Sequence, residues 1–111
     1  MSTRFEVAAM HTARDRTANE AWLAEMNRAA DALGVGSDAR STAEDLFLSD
    51  LPDTERSKRA VAAASLYAGA LIAGEERSQS SVADAMDVSR LSIQTRWKGL
   101  LREAGFRPPS W

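Results

Sequence analysis

Residues Lys58 to Ala73 read KRAVAAASLYAGALIA, and no charge follows Arg59 within that stretch. A helix that is apolar on nearly every side has no face to offer to water, so other helices must wrap it. Its seven alanines and Gly69 let those neighbours approach closely. A lipid-bound amphipathic helix needs a polar face, which this segment lacks. The stretch is also too short to span a bilayer. It predicts the central helix of an all-α domain.

The flanking sequence supplies the wrapping elements. No alternating strand pattern occurs, and two of the three prolines are Pro108 and Pro109. Thr17 and Glu20 have capping-box spacing. Trp22, Met26, Ala29, Ala30 and Leu33 then recur at helical intervals, which predicts a first helix stopped by Gly34 and Gly36. A second helix is expected from about Asp38 to Ser49, capped by Ser37, with Ala39, Ala43, Leu46 and Phe47 inward. Leu51-Pro52-Asp53-Thr54 breaks the chain. Gly74 ends the central helix, and Glu75-Glu76-Arg77 form a polar turn. Ser78 caps a helix over Gln79–Met86 with Val82, Ala83 and Met86 inward. After the turn Met86-Asp87-Val88-Ser89, Ser89 caps a final helix from Arg90 to about Ala104, closed by Gly105. The 111 residues are expected to form one domain over 17–105, with an N-terminal arm (1–16) and a C-terminal tail (106–111).

Much chemistry is excluded by residue type. There is no cysteine, and the one histidine, His11, stands in the arm. Disulfides, thiolate metal sites, thiol catalysis and multi-histidine sites are therefore ruled out. Glu44-Asp45 and Glu75-Glu76 are sequential pairs, and adjacent helical residues diverge by 100° rather than converge on one substrate. No Ser/His/Asp set and no Gly-rich phosphate loop is present. A non-enzyme without a cofactor is expected. The N-terminus, MSTRFEVAAMHTARDR, has no apolar core of signal-peptide length, so a cytoplasmic protein without membrane contact is expected. Charge is uneven: residues 1–55 hold 5 Arg against 11 Asp/Glu (−6), and residues 56–111 hold 9 Lys/Arg against 5 Asp/Glu (+4). A polyanion would meet the back half.

The last two predicted helices have the features of a DNA-binding helix-turn-helix. Small Ala83 allows a close crossing, and Val88 is the apolar residue that the turn buries. At 100° per residue, Ile93, Trp97, Leu100 and Leu101 share one arc, which predicts the buried face. Trp97 and Trp22 are read as core. Opposite lie Leu91, Ser92, Thr95, Lys98 and Arg102, with Arg90 and Gln94 at the N-terminal edge. From Arg90 onward there are five basic residues and one acid, Glu103. Such side chains suit a major groove: Arg to guanine, Gln to adenine, Thr or Leu against a thymine methyl. Lys98 and Arg102 would meet phosphates. Arg56, Lys58 and Arg59 crowd the start of the central helix, where the macrodipole disfavours cations; a phosphate neighbour would explain them, and a solvated surface cluster is the alternative.

Ser57 to Leu100, SKRAVAAASLYAGALIAGEERSQSSVADAMDVSRLSIQTRWKGL, resembles the archaeal transcription factor B and eukaryotic transcription factor IIB family, in its second cyclin-like repeat. The similarity lies in an Ala-rich helix ending in an aliphatic-Tyr segment, a Ser/Thr-Gln helix with a Val-Ala pair, a short turn, and a final helix of the type Val-Thr-Ile-Arg-x-Arg-Tyr-Lys. Here that final helix is Leu91-Ser92-Ile93-Gln94-Thr95-Arg96-Trp97-Lys98. Residues 20–52 match the first two helices of the repeat more loosely. The resemblance implies a five-helix cyclin-like fold whose C-terminal helix-turn-helix contacts promoter DNA beside the TATA box. It implies base-reading positions at Leu91 and Gln94, with Gln79, Ser89, Thr95 and Lys98 nearby, and TATA-binding protein and RNA polymerase as partners. Gln94 stands where the family has a base-reading arginine, Lys58 and Arg59 where a proline and glycine often precede the central helix, and Asp87 where the turn usually has glycine. The chain has no ribbon cysteines and length for one repeat only.

The expected function is that of a DNA-binding transcription regulator, using double-stranded DNA through Arg90–Arg102 and aided by TATA-binding protein or by a homodimer. In the rival reading the cyclin-like fold is a protein-interaction module and does not bind DNA itself.

Overall fold

The computed structural model describes residues 17–49 and 55–105. The expected arm (1–16), chain break (51–54) and tail (106–111) lie outside the described residues, as do the side chains of Glu55 and Arg56. The described residues hold helices and no strand. In chain order they are α1 (Glu20–Leu33), α2 (Ser37–Ser49), α3 (Glu55–Ile72), α4 (Gln79–Met86), α5 (Arg90–Gln94) and α6 (Trp97–Glu103). None of these helices is long and apolar enough to cross a membrane.

The low charge of the Lys58–Ala73 stretch has the consequence expected of it. Every residue from Val61 to Ala70 is buried. α3 packs against each of the other five segments, most extensively against α2. The reason is backbone proximity. A Cβ at position 69 would lie 2.7 Å from the Ala43 nitrogen, 2.8 Å from the Ala43 Cα and 2.9 Å from the Ala39 carbonyl oxygen. No real Cβ fits there, so glycine is dictated by the helix crossing. The largest side chains of the core come from all around α3 and from α3 itself: Met26 from α1, Leu46 and Phe47 from α2, Leu66 from α3, Met86 from α4 and Trp97 from α6.

α1 and α3 end alike. The Gly34 and Val35 N–H groups donate to the Asp31 and Ala30 carbonyls, both at 3.2 Å, and the Gly74 and Glu75 N–H groups donate to Leu71 and Ala70 at 3.2 and 2.8 Å. These bonds satisfy carbonyls that a helix end would otherwise leave orphaned. The polar turn then joins the two ends. Arg77 donates through Nε to the Leu33 carbonyl (2.9 Å) and through Nη2 to the Gly34 carbonyl (3.2 Å). In return the Gly36 N–H donates to Glu75 Oε1 at 2.9 Å. A cation at a helix C-terminus is favourably placed.

Several boundaries differ from expectation. α1 starts at Glu20 after an interruption at Asn19, whose side chain makes no capping bond, so the Thr17/Glu20 box does not open this helix. The Asn19 Oδ1 instead accepts from Lys58 Nζ at 2.8 Å. Leu23 is buried, while Trp22 and Leu33 are half-buried at the edge of the core. Ser37 lies inside α2, and the Gly36 carbonyl takes the first bond, from the Arg40 N–H. α3 begins at Glu55, three residues before the predicted start. The single helix expected from Arg90 to Ala104 is divided into α5 and α6.

Gly69→Ala is expected to cost about 1–3 kcal/mol, the usual range for forcing a methyl into a filled core. Thermal unfolding followed by circular dichroism should show a midpoint lower by on the order of 10 °C.

Candidate nucleic-acid interface

The element of interest is built from α4, a three-residue turn, α5 and α6. Ser78 starts α4 in an extended conformation (φ −65°, ψ 153°), and its Oγ accepts from the Ser81 N–H at 3.0 Å. Asp87 ends α4 in the left-handed region at φ 59°, ψ 49°. The Val88 N–H bonds the Ala83 carbonyl at 3.0 Å, and the half-buried Val88 side chain packs on the core. Ser89 repeats the capping geometry of Ser78 (φ −79°, ψ 151°), its Oγ accepting from the Ser92 N–H at 3.2 Å. Both serine caps are legible from residue type and position.

Two arginines from the body hold the end of α4. Arg28 Nη2 donates to the Ala85 carbonyl at 3.3 Å, and Arg59 Nη1 donates to the Met86 carbonyl at 3.1 Å. The Arg59 guanidinium also lies 5.0 Å from the Trp22 ring centroid, with Nη1 3.6 Å from Glu25 Oε1. Arg28 Nη2 reaches Glu25 Oε1 at 2.7 Å, and this bond holds the Glu25 carboxyl below its usual value. Lys58 thus meets Asn19, and Arg59 meets groups of α1 and α4. No spacing rule predicts such carbonyl contacts, because their acceptors are backbone atoms that only the fold brings near.

The division of the last helix has a local cause. Thr95 Oγ1 donates to the Leu91 carbonyl at 3.0 Å, and Arg96 Nη1 donates to the Ser92 carbonyl at 3.3 Å. The Arg96 N–H reaches back three residues to Ile93, at 3.1 Å, instead of four. A threonine hydroxyl bonded to the preceding turn competes with the backbone ladder and bends helices. Hydrophobic spacing runs unbroken through this point, so periodicity alone could not reveal the bend.

The predicted buried arc is buried: Ile93 is 0% exposed, Trp97 1%, Leu100 4% and Leu101 2%. Trp97 meets Tyr67 of α3 edge-on, with ring centroids 5.3 Å apart and planes at 75°. Burial pushes the Tyr67 hydroxyl above its ordinary value, partly offset by a bond from the Gln79 side chain. Of the candidate residues, Ser89, Arg90, Leu91, Gln94, Thr95 and Arg102 are exposed, and Gln79 and Lys98 are half-buried. Leu91 is 65% exposed, the most exposed large apolar side chain among the described residues. Arg90 Nη1 lies 3.5 Å from Gln79 Oε1, which draws the edges of α4 and α5 together. Lys98 Nζ lies 5.6 Å from the Trp97 ring centroid. Among the described residues no group of three His, Cys, Asp or Glu could hold a metal ion.

Comparison with protein families decides what kind of chain this is. Residues 14–103 match the transcription factor TFIIB repeat. The chain belongs to that family. Its relatives include Transcription initiation factor IIB 6 of Halobacterium salinarum, 34% identical over 84% of this chain, and Transcription initiation factor IIB 2 of Thermococcus kodakarensis, 29% identical over 76% of it. Transcription initiation factor IIB of Pyrococcus horikoshii is 31% identical over 76% of the chain. The chain spans 28–30% of the length of these relatives. The TFIIB repeat is a cyclin-like all-α fold, and the six segments fit its five-helix plan when α5 and α6 are taken as one bent final helix. The chain is thus a transcription-factor relative rather than a relative of an enzyme family.

Asp87→Gly should relieve the left-handed strain at the α4–α5 turn, a gain of about 0.5–1 kcal/mol after the looser unfolded chain is counted. A rise of a few degrees in the calorimetric midpoint is the expected outcome, and a fall would show that the aspartate side chain contributes more than the backbone loses.

Proposed function

We propose that this TFIIB repeat binds duplex DNA through the α4–α6 element and acts as a transcription regulator. The observation that supports it most is the two-sidedness of α5 and α6. Ile93, Trp97, Leu100 and Leu101 are buried against the core, while Arg90, Leu91, Gln94, Thr95 and Arg102 face solvent on the other side. On a major groove, Gln94 has the donor–acceptor pair that adenine requires, Leu91 suits a thymine methyl, and Arg90 suits guanine or a phosphate. Arg102 and Lys98 supply the sequence-blind share through phosphates. Ser89 and Gln79 border this face and complete the reading edge. Lys58 and Arg59 act behind it: Arg59 fixes the end of α4, and with it the direction from which α5 leaves the turn.

One such element offers limited affinity. A second contact surface is therefore part of the proposal, supplied by TATA-binding protein, by other transcription machinery or by a second copy of the chain. The acidic front half is the surface offered to that partner.

Fluorescence anisotropy with a mixed-sequence duplex at two salt concentrations tests the reading. Binding should weaken with added salt, and Lys98→Ala and Arg102→Ala should each lower the slope of log K against log salt by about one. Gln94→Ala should shift sequence preference in a selection from random duplexes. Equal binding and equal preference for the wild type and all three variants would remove the assigned interface, and no duplex binding at all would favour the protein-interaction module.

A further inference from the structure

Gly99 lies inside α6, where glycine weakens a helix relative to alanine. At Gly69 the crossing of two backbones explains the glycine. At Gly99 nothing does: a Cβ built there meets no atom within 4 Å. The space it would enter belongs to a cleft of about 350 Å³ that the α5–α6 bend leaves against α3. Val61 and Leu100 line its apolar side, Thr95, Arg96 and Arg102 its polar side, and Glu103 its rim. Thr95 and Arg102 also belong to the exposed face described above, so cleft and face are continuous. Arg96 is partly committed, through Nη1, to Ser92. Arg102 is exposed, and its guanidinium makes no hydrogen bond or ion pair to another described residue.

We infer that this cleft seats a phosphodiester of the bound duplex, with Gly99 kept bare so that the sugar–phosphate backbone can come within contact of the α6 main chain. The inference rests on the duplex-binding reading and adds a docking point to it. Two guanidinium groups flanking a small open cleft provide charge and fork geometry for one phosphate. A residue without a side chain between them provides the close approach. The Glu103 carboxylate at the rim opposes the anion and limits the affinity, which makes it a second handle for the test.

The decisive variant is Gly99→Ala, because its effects on folding and on binding should have opposite signs. An added methyl in open space inside a helix should raise the thermal midpoint by roughly 3–6 °C. The same methyl should weaken binding to a mixed-sequence duplex by about tenfold, the scale of one methyl group misplaced at a tight contact. Glu103→Gln should strengthen binding, most visibly at low salt. If the wild type binds duplex and Gly99→Ala binds equally well while melting higher, the cleft is not a docking point and the wider reading stands. If the wild type does not bind duplex, that wider reading falls and takes this inference with it.

Discussion

The contact on which the rest of the structure depends is the crossing of α2 and α3. Their backbones approach so closely at Gly69 and Ala43 that no side chain separates them. An alanine-rich helix buries little apolar area per residue, so it stabilises a fold only if its neighbours come close enough for dispersion contacts across the whole face. Close approach also sets positions. With α2 fixed against one side of α3, the opposite side is left for Tyr67 to receive the edge of Trp97 and hold α6. The orientation of the candidate interface is therefore inherited from a contact on another side of the central helix.

A second layer of control is polar. The ends of α1 and α4 are gripped by arginines from elsewhere in the chain: Arg77 on α1, and Arg28 with Arg59 on α4. In each case a guanidinium meets carbonyls that the helix leaves unbonded, at the end where the macrodipole favours a cation. Loops so short have little apolar surface to hold them. These bonds fix the angles between successive helices instead, and for α4 they determine how the turn presents α5.

What could be read from the sequence divides along the same line. The central helix was legible because charge is missing from it, and the inward arc of Ile93, Trp97, Leu100 and Leu101 because period and burial coincide. The caps at Ser78 and Ser89 were legible from local stereochemistry. Not legible were features whose partners are distant backbone atoms. The bond from Arg59 to the Met86 carbonyl is one of these, since no pattern shows that this carbonyl will lie beside it. The bend at Thr95 was hidden because a hydroxyl bonded to its own helix leaves the hydrophobic period intact. α1 begins at Glu20 rather than at the Thr17/Glu20 box, and the Asn19 side chain that precedes it meets Lys58, a contact across 39 positions of sequence.

The bend also sets a scale. α5 has five residues, so its straight portion is about 7.5 Å long at 1.5 Å per residue. Base pairs are stacked about 3.4 Å apart, so a rod of that length lies alongside roughly two of them before its axis turns away. Two steps carry at most four bits, far too little to single out one locus in a chromosome. On the proposed duplex-binding reading, the information that selects an address is supplied jointly, with this domain as one contributor among several.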